Sequence, residues 1–112
     1  MKTPFKYIAD LTKQISEIPP GSIVSQTIHD DEQVRAVLFA FAPGQELSEH
    51  TASRAATLYF VQGEADITLG DEAKIAQAGT WVHMTPHLPH SIVAKTAVLM
   101  LLTMFKVGPS GQ

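Results

Sequence analysis

The sequence contains no cysteine, and this absence excludes disulfide frameworks, thiolate metal sites and cysteine nucleophiles. Charged residues are also scarce, at 17% of 112 residues, which is too few for a disordered chain. Eight basic and eleven acidic residues give a formal charge of −3 without a block of one sign, so a nucleic-acid-binding protein is not expected. The apolar runs are far shorter than a membrane span, and the N-terminus lacks the apolar segment of a secretory signal. We therefore expect a small cytoplasmic domain without nucleic-acid or membrane partners.

The chain beyond Gly21 has the pattern of an all-β protein. Short segments rich in β-branched and apolar residues recur there, separated by glycine and proline. One of them, 34–41, is apolar on both alternating faces, which predicts a strand buried on both sides. Regular spacing of this kind is typical of a β-sandwich or barrel. The predicted strands are 23–28, 34–41, 56–61, 65–69, 73–77, 81–85, 90–94 and 97–105.

The N-terminal segment has two interpretations. Thr3 and Pro4 are suited to cap a short helix, and Leu11 and Ile15 follow at helical spacing. An extended arm fits the same segment, which ends at a Pro-Pro-Gly sequence. We expect one domain over 1–112, with the arm at 1–33, the barrel at about 34–106 and a frayed tail at 107–112.

Four of the five histidines fall between residues 50 and 90, within two segments of distinctive spacing. In the first segment five residues separate Gly44 from His50, and Gly63 lies thirteen positions beyond the histidine. The second segment begins at Gly79 and ends, after two prolines, at His90. Imidazole is the commonest metal ligand and general base in proteins, so these segments are the candidates for function.

The two segments resemble the paired motifs of the cupin superfamily, over most of the predicted barrel. The resemblance implies a small single-domain jelly-roll barrel of a kind that often binds one metal between its two sheets. In metal-binding members the first motif has His-x-His followed by glutamate, and the second motif has one histidine. His50 and His90 match two of these positions, whereas Ala52 and Ala56 stand at the other two.

The resemblance thus implies a metal site with an incomplete ligand set. We expect one divalent ion (zinc, nickel, manganese or iron) held by His50 and His90, with help from a third group. His83 is the candidate for that group. If Thr85 pairs with His90, His83 and His90 face the same side, and if Met84 pairs with His90 they face opposite sides.

Strand alternation predicts the lining of a pocket around the histidine pair. His87, at a turn position where cupins usually have glycine, would lie at the rim of this pocket. The alanines at the two ligand positions enlarge the interior, so we expect room for an organic ligand. The alternative is that the same residues form nothing but the core. His29, beside two aspartates, is expected on the surface. The predicted pocket residues are Leu58, Phe60, Ile92, His87, Trp81 and Met84.

Three functions are compatible with this sequence. The first is a cupin that binds a small molecule in its barrel, with a histidine-held divalent metal. The second is a metal-dependent enzyme of the dioxygenase, isomerase or sugar-modifying type, which the family resemblance makes conceivable. The third is a metal-free enzyme in which a histidine is the general base. The missing ligands favour the first function over the second.

A homodimer is the expected assembly. A barrel of this size leaves sheet edges open, and pairing would cover one of them. The resemblance implies the same, because similar cupins often pair through an N-terminal arm.

Overall fold

Two antiparallel β-sheets face each other in the computed structural model, which describes residues 4–106. The five-stranded sheet has the order β1-β2-β9-β4-β7, and the four-stranded sheet has the order β3-β8-β5-β6. This arrangement confirms the predicted all-β jelly-roll. The strands are β1 (Ile23–Asp30), β2 (Val34–Phe41), β3 (Glu46–His50), β4 (Ala56–Gln62), β5 (Ala65–Leu69), β6 (Glu72–Ala76), β7 (Trp81–Met84), β8 (His90–Ala94) and β9 (Val98–Phe105).

Most strands follow the sequence pattern closely. Strands β2, β5 and β8 have the predicted bounds, and the other predicted strands differ by at most two residues at an end. Strand β3 was not predicted, because Leu47 is its only apolar residue. It forms nonetheless, since its backbone pairs with β8 along the edge of the four-stranded sheet.

Of the two interpretations of the N-terminal segment, the α-helix is wrong. The segment contains a single 3-10 turn at Leu11–Lys13, capped by Asp10, whose side chain accepts a hydrogen bond from the Thr12 amide. Within residues 4–106 no helix is long and apolar enough to cross a bilayer. Thr3 and the predicted tail at 107–112 lie outside the described residues.

The core lies between the two sheets and is built from alternate residues of the facing strands. Phe41 on β2, Phe60 on β4 and Ile67 on β5 are buried in it. A second, smaller cluster covers the outer face of the five-stranded sheet, where Ile15 and Ile18 of the N-terminal arm pack near Leu99 of β9. This second layer explains why β2 and β9 are apolar on both faces, as the pattern of 34–41 predicted.

Strands β7 and β8 lie in different sheets, so neither of the two predicted pairings of His90 occurs. β7 pairs with β4, while β8 pairs with β3 and β5. The turn between them contains Pro86 and Pro89, and the Pro89 carbonyl accepts a hydrogen bond from the Gly70 amide at 2.8 Å. Proline cannot donate to a strand ladder, so this turn carries the chain from one sheet to the other instead of closing a hairpin.

Gly63 occupies the tight turn between β4 and β5. Its φ of 91° is in the left-handed region, which glycine adopts without strain. A Cβ atom at this position would collide with the carbonyl oxygen of Ala97 and lie 2.8 Å from the Cα of Val98. Both atoms belong to the backbone, which cannot rotate away as a side chain can. Gly63 therefore allows the β4–β5 turn to pack against the start of β9.

We expect Gly63→Ala to lower the free energy of unfolding much more than Gly79→Ala. Gly79 has a similar φ of 96° but open space around it, so alanine there costs only the backbone strain, about 1–2 kcal/mol. At Gly63 the collision adds roughly 1–3 kcal/mol. Urea denaturation of both variants measures the difference. Equal losses in the two variants would contradict a packing role for Gly63.

His87 is the one non-glycine residue with positive φ among residues 4–106, at 71°. The left-handed conformation is strained for residues with a Cβ atom, although histidine tolerates it better than most. We expect His87→Gly to raise the free energy of unfolding by roughly 0.5–1 kcal/mol, because glycine removes this strain. Thermal unfolding measures the change. A lower stability of His87→Gly would mean that the His87 side chain contributes contacts that outweigh its backbone strain.

Candidate site at the His50–His90 pair

A β-bulge in β3 brings His50 to the candidate site. Leu47 pairs with Ile92, and the next registered pair is His50 with His90. Three steps along β3 therefore match two steps along β8, so β3 carries one extra residue. Without that residue, strict alternation would put Glu49 on the same face as Leu47. The bulge instead puts the imidazole of His50 beside that of His90.

The two imidazole rings are in contact. Their centroids are 4.1 Å apart, and their planes are inclined by 57°. The Nδ1 atom of His50 lies 2.8 Å from the carbonyl oxygen of Ser48, and that of His90 lies 2.8 Å from the carbonyl oxygen of Leu88. A carbonyl oxygen only accepts hydrogen bonds, so Nδ1 is the donor in both rings. In the neutral rings this leaves Nε2 with its lone pair available to a ligand.

The pair extends from the core to the surface. The side chain of His90 is buried, with 7% of its surface exposed, whereas His50 is exposed. Beside the pair the loop after β3 meets the β7–β8 turn, since the His87 amide donates to the Ala52 carbonyl at 2.7 Å. One imidazole is thus fixed inside the barrel, and the other is accessible to solvent.

A cavity of about 60 Å³ lies against the pair. Because a water molecule occupies about 30 Å³ of liquid, the cavity has room for about two waters. Apart from the two imidazoles, its lining is apolar. The lining residues are Phe39, Leu47, His50, Leu58, His90, Ile92, Met100 and Leu102.

The structure places the predicted pocket residues in three different locations. Leu58 and Ile92 line the cavity with the histidine pair. Phe60 and Met84 are buried in the core but do not line this cavity. Trp81 and His87 are exposed and do not line the cavity, Trp81 because the inner face of β7 is formed by its buried neighbours Val82 and Met84.

The enlarged pocket expected from the two alanines is not present in the part of the chain that the structure describes. Ala56 is buried and pairs with Met84 of β7 on one side and Met104 of β9 on the other. Paired residues share a sheet face, so both methionine side chains lie beside the alanine; Met84 is buried in the main core, and the partly buried Met104 packs against it. Methionine fills irregular space well, and the cavity beside the histidine pair is only about 60 Å³. The prediction of a larger cavity is therefore wrong.

His83 does not join the histidine pair. It alternates with the buried Val82 and Met84, so it lies on the outer face of the five-stranded sheet, 6.4 Å from the ring of Trp81. Among residues 4–106, no group of three or more His, Asp or Glu side chains could hold a metal ion. The third ligand proposed from the sequence is thus absent from the site, because β7 and β8 belong to different sheets.

His29 lies near the end of β1, where its side chain is partly exposed, away from the histidine pair. Its Nε2 is 2.8 Å from Oδ2 of Asp31. This hydrogen bond, followed by those from the backbone amides of Val34 and Gln33, holds the pKa of the Asp31 carboxyl well below its usual value. The acidic turn is therefore ordered by its own hydrogen bonds, and no described contact links it to the histidine pair.

Four cavity residues were missed by the sequence analysis: Phe39, Leu47, Met100 and Leu102. Leu47 was missed because its strand was not predicted. Phe39, Met100 and Leu102 come from β2 and β9, whose continuous apolar runs do not show which face is inward. Pairing resolves the question, because Met100 is registered with both Phe39 and Phe60. The run at 97–105, apolar except for Thr103, was the one available signal that residues of β9 are central.

The pair supplies two good metal ligands and no more. A catalytic zinc site has three protein ligands as a rule, and a site for manganese or iron uses carboxylates as well. Here the cavity lining contributes no carboxylate, and Ala52 and Ala56 contribute no donor side chain. The residues present therefore do not fit a complete site of the divalent type that the motif resemblance implied.

Comparisons with known proteins agree with this fold. A cupin superfamily protein of Desulfitobacterium hafniense is 26% identical, with a TM-score of 0.76 over 80% of this chain and 83% of that one. A conserved protein of unknown function from Streptococcus pyogenes is 25% identical, with a TM-score of 0.80 over 93% and 90%. A cupin 2 conserved barrel domain protein of Leptotrichia buccalis is 25% identical, with a TM-score of 0.74 over 81% of this chain and 44% of that one.

A comparison with curated proteins gave no match. The cupin domain family matches residues 37–105, a range that includes β3, β8 and the histidine pair. This range is more than half of the chain, and it agrees with the observed jelly-roll. The protein therefore belongs to the cupin family, and its barrel holds the His50–His90 pair within the matched range.

Proposed function

We propose that this cupin binds a small molecule at the His50–His90 pair. The observation that carries the proposal is the hydrogen bonding of both Nδ1 atoms to backbone carbonyls. These bonds fix the orientation of each ring and leave both Nε2 atoms to a ligand. Two fixed polar atoms in an otherwise apolar lining are the usual composition of a small-molecule site.

The chemistry of the pair suggests what this ligand presents. A neutral Nε2 accepts a hydrogen bond, so the ligand needs a donor such as a hydroxyl or amine group. The cavity admits a group no larger than about two water molecules. The rest of the ligand would lie outside, between the loop after β3 and the β7–β8 turn, where Ala52 and His87 meet. We therefore propose a small hydroxyl- or amine-bearing molecule that enters the barrel by one end.

A divalent metal belongs to this proposal only as a partner of the ligand. His50 and His90 would hold it, and donor atoms of the small molecule or water would have to supply the other ligands. Zinc, nickel, manganese and iron all accept imidazole, so the pair does not select among them.

Metal-free catalysis is the second candidate function. The hydrogen-bonded Nδ1 atoms favour it, since an imidazole with a free Nε2 lone pair can remove a proton from a bound hydroxyl group. His50 is the better base because it is exposed and can exchange its proton with solvent. Binding of the same hydroxyl-bearing molecule is the first step in either function.

We expect His50→Ala to weaken ligand binding by at least about tenfold, the effect of losing one hydrogen bond of about 1.4 kcal/mol. A panel of small alcohols, hydroxy acids and amines, screened by ligand-observed NMR, provides the probes. Because His50 is exposed, we expect His50→Ala to fold like the wild type. His90→Ala removes the buried imidazole, so its unfolding temperature is measured first and its ligand binding second.

His83→Ala is the matched control, because it removes an exposed imidazole from the outer face of the five-stranded sheet, away from the cavity. Equal losses in His50→Ala and His83→Ala, or unchanged binding in His50→Ala, would contradict the proposal. Elemental analysis of the same three proteins determines whether a metal takes part. A metal that depends on the pair is lost from His50→Ala and His90→Ala but kept in His83→Ala.

We also propose that the protein forms a homodimer through the outer face of the five-stranded sheet. Trp81 is 63% exposed there, and its partner across the ladder, Tyr59, is 40% exposed. Exposed aromatic side chains are enriched at protein interfaces, and a two-fold axis would pair this patch with itself. The N-terminal arm packs on the same sheet face of its own chain, through Ile15 and Ile18, so it borders this patch.

We expect Trp81→Ser to shift the protein from dimer to monomer in light scattering at micromolar concentration. Ile75→Ser is the matched control, since Ile75 is also 63% exposed but lies on β6 of the other sheet. A monomeric wild-type protein, or dimers in both variants, would overturn this assignment.

The cytoplasmic location expected from the sequence also stays a proposal, which cell fractionation tests.

A further inference from the structure

The outer face of the five-stranded sheet is free of lysine, arginine and acidic side chains over the strand residues that the structure describes. Asp30 and Arg35 are the only such residues of these five strands, and they pair with each other. Arg35 also pairs with Met104, which packs on the main core, so both charged side chains lie on the inner side of the sheet. In the four-stranded sheet, by contrast, three of the four strands carry acidic residues. The outer face is therefore suited to burial against a partner, because charged residues are depleted at the centres of interfaces.

His83 is an ionisable residue on the part of this face that the N-terminal arm leaves uncovered. Thr57 pairs with it directly, and Thr103 follows on the other side of Thr57. Trp81 lies beside it along β7, with 6.4 Å between the ring centroids. Tyr59, across from Trp81, is the other titratable residue here, and a phenol is uncharged between about pH 5 and pH 8. In the part of the chain that the structure describes, all ion pairs involve other side chains, so His83 has no acidic partner.

The charge of the imidazole decides what burial of this patch costs. A neutral ring can be buried beside the Thr57 hydroxyl, which both donates and accepts hydrogen bonds. A protonated ring would lose its water without a carboxylate to compensate, and an unpaired buried charge is costly. The described part of the arm packs on the sheet through Ile15 and Ile18, while its Asp10 and Glu17 are exposed. Burial of the patch should therefore require the neutral ring.

We propose that His83 is a pH switch of the homodimer, which forms at neutral pH and dissociates in mild acid. The inference rests on the dimer proposed above, in which Trp81 and Tyr59 of one chain face those of its partner. Histidine is the side chain that changes its charge in this range of pH. A two-fold axis brings one His83 from each chain into the contact, so both rings must release a proton before the surfaces close.

The size of the effect follows from these two protons. At one pH unit below the pKa that histidine has in peptides, each ring weakens association by about tenfold, which gives about a hundredfold for the pair. The sign follows from the cost of the charged form: association is favoured at high pH and is lost as the pH falls.

The competing interpretation is that His83 contributes only packing or a hydrogen bond to the contact, so that acid leaves the dimer intact. His83→Gln separates these roles, because glutamine keeps the hydrogen bonding but does not titrate. His83→Arg carries a permanent charge at the same position. His29→Gln is the matched control, since His29 lies at the far edge of the same sheet face and is hydrogen-bonded to Asp31.

The test is analytical ultracentrifugation of the wild type and the three variants at about pH 7.5 and about pH 5.5, with the ionic strength held constant. We expect the dissociation constant of the wild-type dimer to rise by about a hundredfold in acid, and that of His29→Gln to rise equally. His83→Gln should stay dimeric at both pH values, and His83→Arg should be monomeric at both. Circular dichroism at both pH values checks that the chains remain folded.

An unchanged dissociation constant of the wild type in acid would overturn the switch, and so would an equal acid response in His83→Gln. A response that is lost in His29→Gln would assign it to the wrong histidine. A dimer of His83→Arg at neutral pH would show that the position is not buried in the contact, which also contradicts the switch. All of these outcomes leave the homodimer in place, whereas a wild type that is monomeric at both pH values overturns the homodimer and the switch together.

Discussion

The candidate site depends on one extra residue in an edge strand. The bulge between Leu47 and His50 changes which side of β3 faces β8, and so sets an imidazole, not a carboxylate, beside His90. Each ring is then held by a carbonyl two residues before it, Ser48 or Leu88. These hydrogen bonds come from the strands and the turn themselves, so the ring orientation needs no support from other side chains. The geometry of the pair is thus a property of the local backbone.

The protein combines an intact cupin barrel with an altered set of donors. Jelly-roll topology depends on strand pairing and core packing, which alanine at positions 52 and 56 does not disturb. Two methionines pair beside Ala56, while Met100 lines the same cavity as the histidines. The lining of this cavity consequently holds two imidazoles and no carboxylate. Family membership establishes the fold, and the chemistry of the site depends on the side chains that line the cavity.

Much of the fold could be predicted from the sequence, and less of the site. Alternation and turn residues gave the bounds of β2, β5 and β8, and motif spacing identified His50 and His90. The residue pattern of a strand does not show which strands it pairs with. The sequence therefore could not predict that β7 and β8 lie in different sheets, or that His83 points outward. The bulge could not be predicted either, because β3 has one apolar residue and its pattern does not show which side chains face the core. Met100 was missed because every residue around it is apolar.

The size of the cavity has a consequence for kinetics. Space for about two waters means that any larger group can enter only after a side chain of the wall, or the exposed ring of His50, moves aside. Binding would then be limited at high ligand concentration by the rate of this opening, not by diffusion. Dissociation would need the same opening, so residence times could be long even where the equilibrium affinity is modest. The small volume of the cavity thus makes ligand binding and release slow, and it selects for ligands with a small group.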